Sequence, residues 1–435
     1  MKKTLFAILL FLLTTCKNME DAEPSNRKSF IKIFENSYSM TAVAMEVVPD
    51  GYVILGNNFV STADTSFTQT IIFKTDKKGN RISEFVAFPG AVAKSFARIS
   101  NSNFNGYVIV GDSVKIDPFE EDAANVSIAS IRIHSINDLF ETTDKAYVTD
   151  LSSSLIKEDY IGGAIVSVNP DKVIVLATFK EGVVGQFIAH EKQLLLSYTI
   201  GADGSLTRDW VNGIDLLGQG YLYKNSRTVY YDKGKIIWAS AIAFTNGNFN
   251  TSYVGIPVVP EQAIPDNFSL IGSTSSQSFI PKDFQSAKFS GFGYGVIGTY
   301  SQTLDGSKAN IFFLRVDKNG NIIPGSDRYF DGIESFANEP LNKNTSSIID
   351  EGFVLAGYIQ STPQKGNGGK DIFLIKTDLS GNIIWAKTLG ASGDEVISTI
   401  KETEEGDLII CGTNTLGNYS SIFLMKTDSN GEVKN

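Results

Sequence analysis

The chain has 435 residues, 38 Lys plus Arg against 48 Asp plus Glu, and a formal net charge of −10. With that balance and no basic stripe, a phosphate-backbone reader is excluded and no nucleic-acid partner is expected. Two histidines and two cysteines are too few for a His-rich metal centre or a disulfide framework, so stability must come from an apolar core, which a chain of this length can build.

Residues 1–15 are Met-Lys-Lys-Thr, an apolar run from Leu5 to Leu13, and Thr14-Thr15. A short positive start and roughly nine apolar residues make a secretory signal, too short to span a bilayer as a helix. Leu13-Thr14-Thr15-Cys16 resembles a bacterial lipobox, which implies that Cys16 is lipidated and becomes the first mature residue. An ordinary cleaved signal that happens to contain a cysteine is the alternative. Residues 16–28 are polar and charged and are expected to be a flexible lipid-anchored tether.

From residue 29 to 435 a single strand pattern recurs. Gly51-Tyr52-Val53-Ile54-Leu55-Gly56 and Gly106-Tyr107-Val108-Ile109-Val110-Gly111 are followed by weaker copies at 172–177 and 235–240, and then by Tyr294-Gly295-Val296-Ile297-Gly298. The last two copies begin at Gly352 and Asp407, 55 positions apart. These are short apolar runs rich in β-branched and aromatic residues, and near-continuous apolarity indicates strands covered on both faces. A second signature follows four of them: Thr75-Asp76-Lys77-Lys78-Gly79-Asn80, Val316-Asp317-Lys318-Asn319-Gly320-Asn321, Thr377-Asp378-Leu379-Ser380-Gly381-Asn382 and Thr427-Asp428-Ser429-Asn430-Gly431-Glu432. In each the Asp accepts from backbone N–H groups and the Gly supplies the positive φ that closes a hairpin; residues 200–205 are a decayed copy.

The last copy stops just after its turn, and Ser29-Phe30-Ile31-Lys32-Ile33-Phe34 supplies the missing outer strand at the other end. The fold expected is all-β: a seven-bladed β-propeller of four-stranded antiparallel blades, roughly 58 residues each, with the N-terminal strand completing the C-terminal blade. Ring closure removes exposed edges. An open stack or two separate sheets is the alternative. The motifs resemble the β-propeller repeats of secreted and lipid-anchored proteins of Bacteroidota, closely in the last two copies and weakly between 113 and 290. Such a resemblance implies a scaffold on which chemistry varies.

With strands lettered A to D from the axis outward, the A–B and C–D turns are short and regular and share one face. The B–C and D–A connections share the other, and segments 57–69, 112–125, 245–252, 301–310, 358–370 and 413–420 are expected to be its variable loops, where a ligand or partner is recognised. Phe59, Phe67, Phe119, Phe249, Tyr358 and Tyr419 stand there among small polar residues, suited to a protein interface or a sugar platform. Asp117, Glu120, Glu121 and Asp122 form the sharpest acidic cluster, whose four carboxylates could hold Ca²⁺, but the calcium-loop spacing is absent and a solvated loop is the simpler reading. Cys411, inside Leu408-Ile409-Ile410-Cys411, reads as a buried inert thiol.

No Gly-x-Ser-x-Gly elbow occurs, the sialidase Asp box fails because two residues separate Asp378 from Gly381, and the quinoprotein Gly–Trp turn is approached by one copy only, at Trp385, so no catalytic residue and no cofactor is assigned. The function expected is a non-catalytic propeller lipoprotein of the outer membrane, anchored through Cys16 and displayed on the cell surface, engaging an outer-membrane protein partner. A polysaccharide-binding accessory lipoprotein of a nutrient-uptake system and a propeller hydrolase or lyase are the alternatives.

Overall fold

The computed structural model describes residues 29–61, 66–101, 103–116, 127–148, 156–183, 189–214, 221–232, 235–244, 250–254, 269–271, 278–286, 293–301, 309–317, 321–330, 345–349, 352–360 and 369–433. Every regular element among them is a β-strand. After β1 (Phe30–Phe34), the first sheet holds β2 (Ser39–Val48), β3 (Gly51–Ser61), β4 (Ser66–Asp76) and β5 (Val86–Pro89). The second holds β6 (Val92–Ser100), β7 (Asn105–Ile116), β8 (Ser127–Asn137) and β9 (Thr142–Val148). The third is β10 (Ile156–Asn169), β11 (Lys172–Val183), β12 (Ala189–Ile200) and β13 (Leu206–Ile214); the fourth is β14 (Tyr221–Asp232), β15 (Lys235–Phe244), β16 (Asn250–Val254) and β17 (Ser269–Ile271). The fifth is β18 (Ser278–Ser286), β19 (Tyr294–Ser301), β20 (Ala309–Val316) and β21 (Arg328–Tyr329); the sixth is β22 (Thr345–Ile349), β23 (Gly352–Gln360), β24 (Lys370–Asp378) and β25 (Ile383–Leu389). The chain ends with β26 (Asp394–Glu402), β27 (Leu408–Leu416) and β28 (Tyr419–Thr427).

Each sheet is a four-stranded antiparallel meander, and the seventh has the order β1-β28-β27-β26. The N-terminal strand therefore pairs with the C-terminal one, Phe30 opposite Lys426 through Phe34 opposite Ile422, as the missing outer strand predicts. The linker after β1 is fastened by Tyr419, whose hydroxyl donates to the Asn36 carbonyl, and by Ser39 Oγ, which donates to the Asn418 carbonyl and accepts from Ser420 N–H.

One apolar cluster fills each junction between consecutive sheets. Ile54, Ile71 and Phe73 of the first sheet meet Ile409, Cys411 and Leu424 of the seventh, while Ile372 and Leu374 of the sixth meet Ile410 and Phe423 from the other side. Both faces of the seventh sheet are thereby buried, which is why its strands read as unbroken apolar runs. Cys411 is a buried thiol, as its setting in the strand implies.

The Asp turns form as predicted. At Asp378, the carboxylate accepts from the N–H groups of Ser380 (2.8 Å) and Asn382 (2.9 Å), and Gly381 sits at φ 80°. Asp76 with Gly79 and Asp428 with Gly431 repeat the arrangement. A further copy, unmarked by Gly or Asp, lies at Asn137, whose side-chain oxygen accepts from Leu139 and Glu141 N–H while Phe140 adopts φ 62° in the Gly place. The first strands of the sheets also share an unforeseen irregularity: a bulge between Ala42 and Ala44, Ala93 and Ser95, and Ile397 and Thr399.

Two of the expected variable loops are corrected. Within 57–69, β3 and β4 stay paired as far as Ser61 opposite Ser66, because Asn57 is bonded through its amide to both backbone groups of Ala93 in the next sheet. Within 413–420, Leu416 pairs with Tyr419 across a two-residue turn that Gly417 at φ 62° permits. Both are hairpins, not long loops.

Candidate binding groove

The seventh sheet is packed unequally by its two neighbours. Toward the first sheet, Phe30 and Phe34 of β1 turn inward, and Phe34 meets the Phe73 ring edge-on at 4.9 Å, with Phe85 edge-on to Phe73 beyond it at 4.9 Å. Toward the sixth sheet, strand alternation points Ile31 and Ile33 the other way, and they find small residues opposite them: Thr388, Gly390 and Ala391. The result is an open groove of about 320 Å³, near the lower bound of pockets that hold small ligands. Its walls are Ile31, Ile33, Leu389, Phe423, Met425 and Val433. Ile31 and Ile33 remain 54% and 52% exposed.

At one end of this apolar groove stands Glu395, on β26, only 5% exposed. Its Oε2 accepts from Ala391 N–H at 3.0 Å, and no N–H or O–H donor of the protein reaches its Oε1. The carboxyl of Asp371, at the start of β24, lies within hydrogen-bond reach and accepts from the Glu395 carboxyl when that group is protonated. Burial pushes Glu395 up to about 7; the Ala391 N–H pulls the other way, and the charges of Asp371 and Asp394 add to the rise. Asp394 accepts from Lys370 N–H at 3.0 Å. Asn414, on β27, completes the end wall, and its Oδ1 also lacks a donor.

Glycines let these side chains approach the backbone. A Cβ on Gly390 would fall 2.0 Å from Asp371 Oδ1, and one on Gly393 2.2 Å from Asn414 Oδ1. Among the described residues no group of three or more His, Cys, Asp or Glu side chains is arranged to hold a metal ion. Glu395, with Asp371 beside it, can hold or release a proton near neutrality or accept a cation in its place.

A second depression, about 250 Å³, lies on the opposite face at the A–B turns, among Lys77, Arg98, Lys426, Glu404 and Glu405. Its charges compensate one another, and Lys426 is already engaged by Asp407 at 3.2 Å. The groove is the better-formed site, and its Glu395 end belongs to the B–C/D–A face expected to carry function.

The aromatic residues singled out in the sequence do not gather there. Phe59 and Phe67 are exposed at the far end of the β3–β4 hairpin, and Tyr419 is engaged with the β1–β2 linker. The expectation that Tyr358 is exposed is corrected: it is 2% exposed within β23, covered by Lys370, whose Nζ lies 5.2 Å from the ring centroid. Cys16, Phe119, Phe249 and the cluster Asp117, Glu120, Glu121 and Asp122 lie outside the described residues or side chains.

Two signals could have pointed to the groove. Asp371 replaces the Ser421 of the neighbouring repeat copy. By strand register, Glu395 occupies the place that buried Met40 and Ala91 fill in the first and second sheets. A buried carboxylate at a methionine position has no packing rationale.

No protein-family model matches the sequence, and no curated protein matches it. Among solved structures the chain is similar to polysaccharide lyase Uly1, with 9% identity and a TM-score of 0.51 over 96% of this chain and 95% of that one. It is also similar to a subtype N10 neuraminidase-like protein of A/little yellow-shouldered bat/Guatemala/060/2010, with 8% identity and a TM-score of 0.41 over 92% and 98%. At such identity the first likeness bears on fold alone, and it supports a β-propeller-like all-β architecture.

Proposed function

We propose that the seven sheets are the blades of a closed propeller and that the protein is a non-catalytic interaction module, anchored in the outer membrane through a lipidated Cys16 and displayed at the cell surface. The observation that carries this reading is the groove between the sixth and seventh sheets, where Ile31 and Ile33 stand half exposed over an apolar floor. Contiguous exposed apolar surface marks a binding site, and burying these two side chains under a partner contributes about 1 kcal/mol each. A protein segment suits the site, since β1 leaves its outer edge unpaired among the described residues and can receive an added strand. The tether of residues 17–28 reaches at most about 40 Å when fully extended, so the β1 rim stays near the membrane and the proteins embedded in it.

Mild detergent extraction and co-purification test this. The wild-type chain should retain an outer-membrane protein that an Ile31→Glu/Ile33→Glu variant of unchanged melting behaviour loses. A wild-type chain recovered alone, or a variant that keeps the partner, would refute the reading.

A second reading, a propeller hydrolase or lyase, is favoured by Glu395, a carboxyl that changes charge near neutral pH beside another carboxyl. It ranks lower because the two groups touch, whereas glycoside cleavage requires carboxyls separated by roughly 5–9.5 Å across the scissile bond. Turnover of an acidic or neutral polysaccharide, lost in Glu395→Gln, would promote it. The glycan-binding alternative retains Phe59 and Phe67 as its exposed platform, and a glycan array is its test.

A further inference from the structure

The groove is apolar along its length and acidic at one end. The residues that line it are aliphatic, aromatic or small until the floor reaches Glu395 and Asn414. Glu395 is more than nine-tenths buried, opens into the cavity, and offers an Oε1 to which the protein supplies no donor. A buried polar atom without a donor is destabilising unless something outside the chain satisfies it. The outer edge of β1, unpaired among the described residues, likewise offers backbone groups that an acyl chain or a sugar does not match and an extended peptide does.

We propose that the groove receives an extended apolar peptide segment carrying a lysine or arginine, whose cation is taken by Glu395 with Asp371 beside it. This rests on the groove being the partner-binding surface, and it names the chemistry of the partner. The aliphatic side chains of the segment lie against Ile31, Ile33, Phe423 and Met425, and the cation replaces the proton that Glu395 otherwise holds.

The charged groups around Glu395 fit that role. Asp371 comes from β24 and Asp394 from β26 itself, and both favour a cation. Lys370, also on β24, is held over the Tyr358 ring. β27 presents only the neutral Asn414, the β25–β26 connection only the Ala391 N–H, and β28 only Phe423 and Met425. Because the cation competes with a proton, binding strengthens as pH rises through neutrality.

The test uses three labelled peptides, acetyl-Val-Ile-Lys-Ile-Val-amide and its Gln and Glu analogues, titrated with the full chain by fluorescence anisotropy at about pH 8 and pH 5.5. The Lys peptide should bind at least about tenfold more tightly than the Gln peptide at pH 8, and the advantage should shrink severalfold at pH 5.5. In Glu395→Gln the Lys advantage should vanish while the Gln peptide binds as before. Equal binding of all three peptides, abolished by Ile31→Glu/Ile33→Glu, would overturn the cation assignment and leave the groove as a partner surface. A Lys preference that survives Glu395→Gln would overturn it as well. Uptake of phosphatidylcholine vesicles with no peptide binding would assign the groove to lipid and overturn the proposal. No peptide binding together with unaltered co-purification of Ile31→Glu/Ile33→Glu would end both readings.

Discussion

Replacing Glu395 with glutamine should make the protein more stable in alkali and leave it nearly unchanged in mild acid. Glu395 has its carboxyl raised from the ordinary 4.5 to about 7, chiefly by burial. The native state therefore holds this proton more tightly than the unfolded chain, and the stability it brings is fully present below about pH 4.5 and lost as pH rises through 7. At about pH 8 the ionised wild-type residue destabilises the fold by roughly 3 kcal/mol relative to its protonated form, against roughly 1 kcal/mol at pH 5. Glutamine keeps the shape, does not titrate, and can donate to Asp371. Every other titrating group cancels between the two proteins, so the stability difference should grow by about 2.5 kcal/mol from pH 5 to pH 8. With an unfolding entropy of about 2.1 cal/mol/K per residue, that is a relative gain in Tm of about 3 °C for a folded domain of roughly 400 residues. Thermal denaturation of both proteins in parallel buffers reads it directly. A difference that stays flat across this range would show that Glu395 is solvated, and the carboxyl pair would lose its basis.

Two further outcomes follow from the turns and the core. Gly381→Ala forces a Cβ to within 2.8 Å of the Phe313 ring at φ 80° and should destabilise by roughly 2–3 kcal/mol, whereas Gly406→Ala, at φ 83° with open space around it, should lose only about 1 kcal/mol from its backbone; equal losses in urea denaturation would contradict the steric argument. His134, buried edge-on against Phe88, has its imidazole pushed down to about 3 by burial, with Arg132 and Lys145 adding. Its stabilising effect is complete above about pH 6.5 and is lost as pH falls, by roughly 1.4 kcal/mol per unit, so His134→Phe should unfold at lower pH than wild type when acid titration is followed by circular dichroism; an unshifted midpoint would refute the reading.

Much of the scaffold was legible because its turns are chemically demanding. A hairpin that needs a carboxylate acceptor and a positive φ leaves an Asp and a Gly at fixed offset, and Asp76, Asp317, Asp378 and Asp428 mark it. The pairing of residues 30–34 with 422–426 was legible because the last copy lacked what the first residues supply. The Asn137 turn was not, since burial of Phe140 against Tyr107, 6.2 Å between ring centroids, holds a backbone conformation that local preference disfavours. Tyr358 misled for a related reason: polar neighbours in sequence say little about a residue whose strand carries it into a junction between sheets. The groove escaped notice because it arises from a mismatch between two sheets, small residues on β25 facing only half-covered Ile31 and Ile33, and no single repeat copy contains both sides.

The pairing of β1 with β28 also imposes a timetable on folding. Six of the sheets are assembled from strands adjacent in sequence, but the seventh is complete only when residue 30 finds residue 426, nearly the full chain away. Phe30 and Phe34 stay uncovered until residues 422–426 have been synthesised. Loop closure over that span makes this contact the slowest to form and the most open to capture by another chain's unfinished sheet.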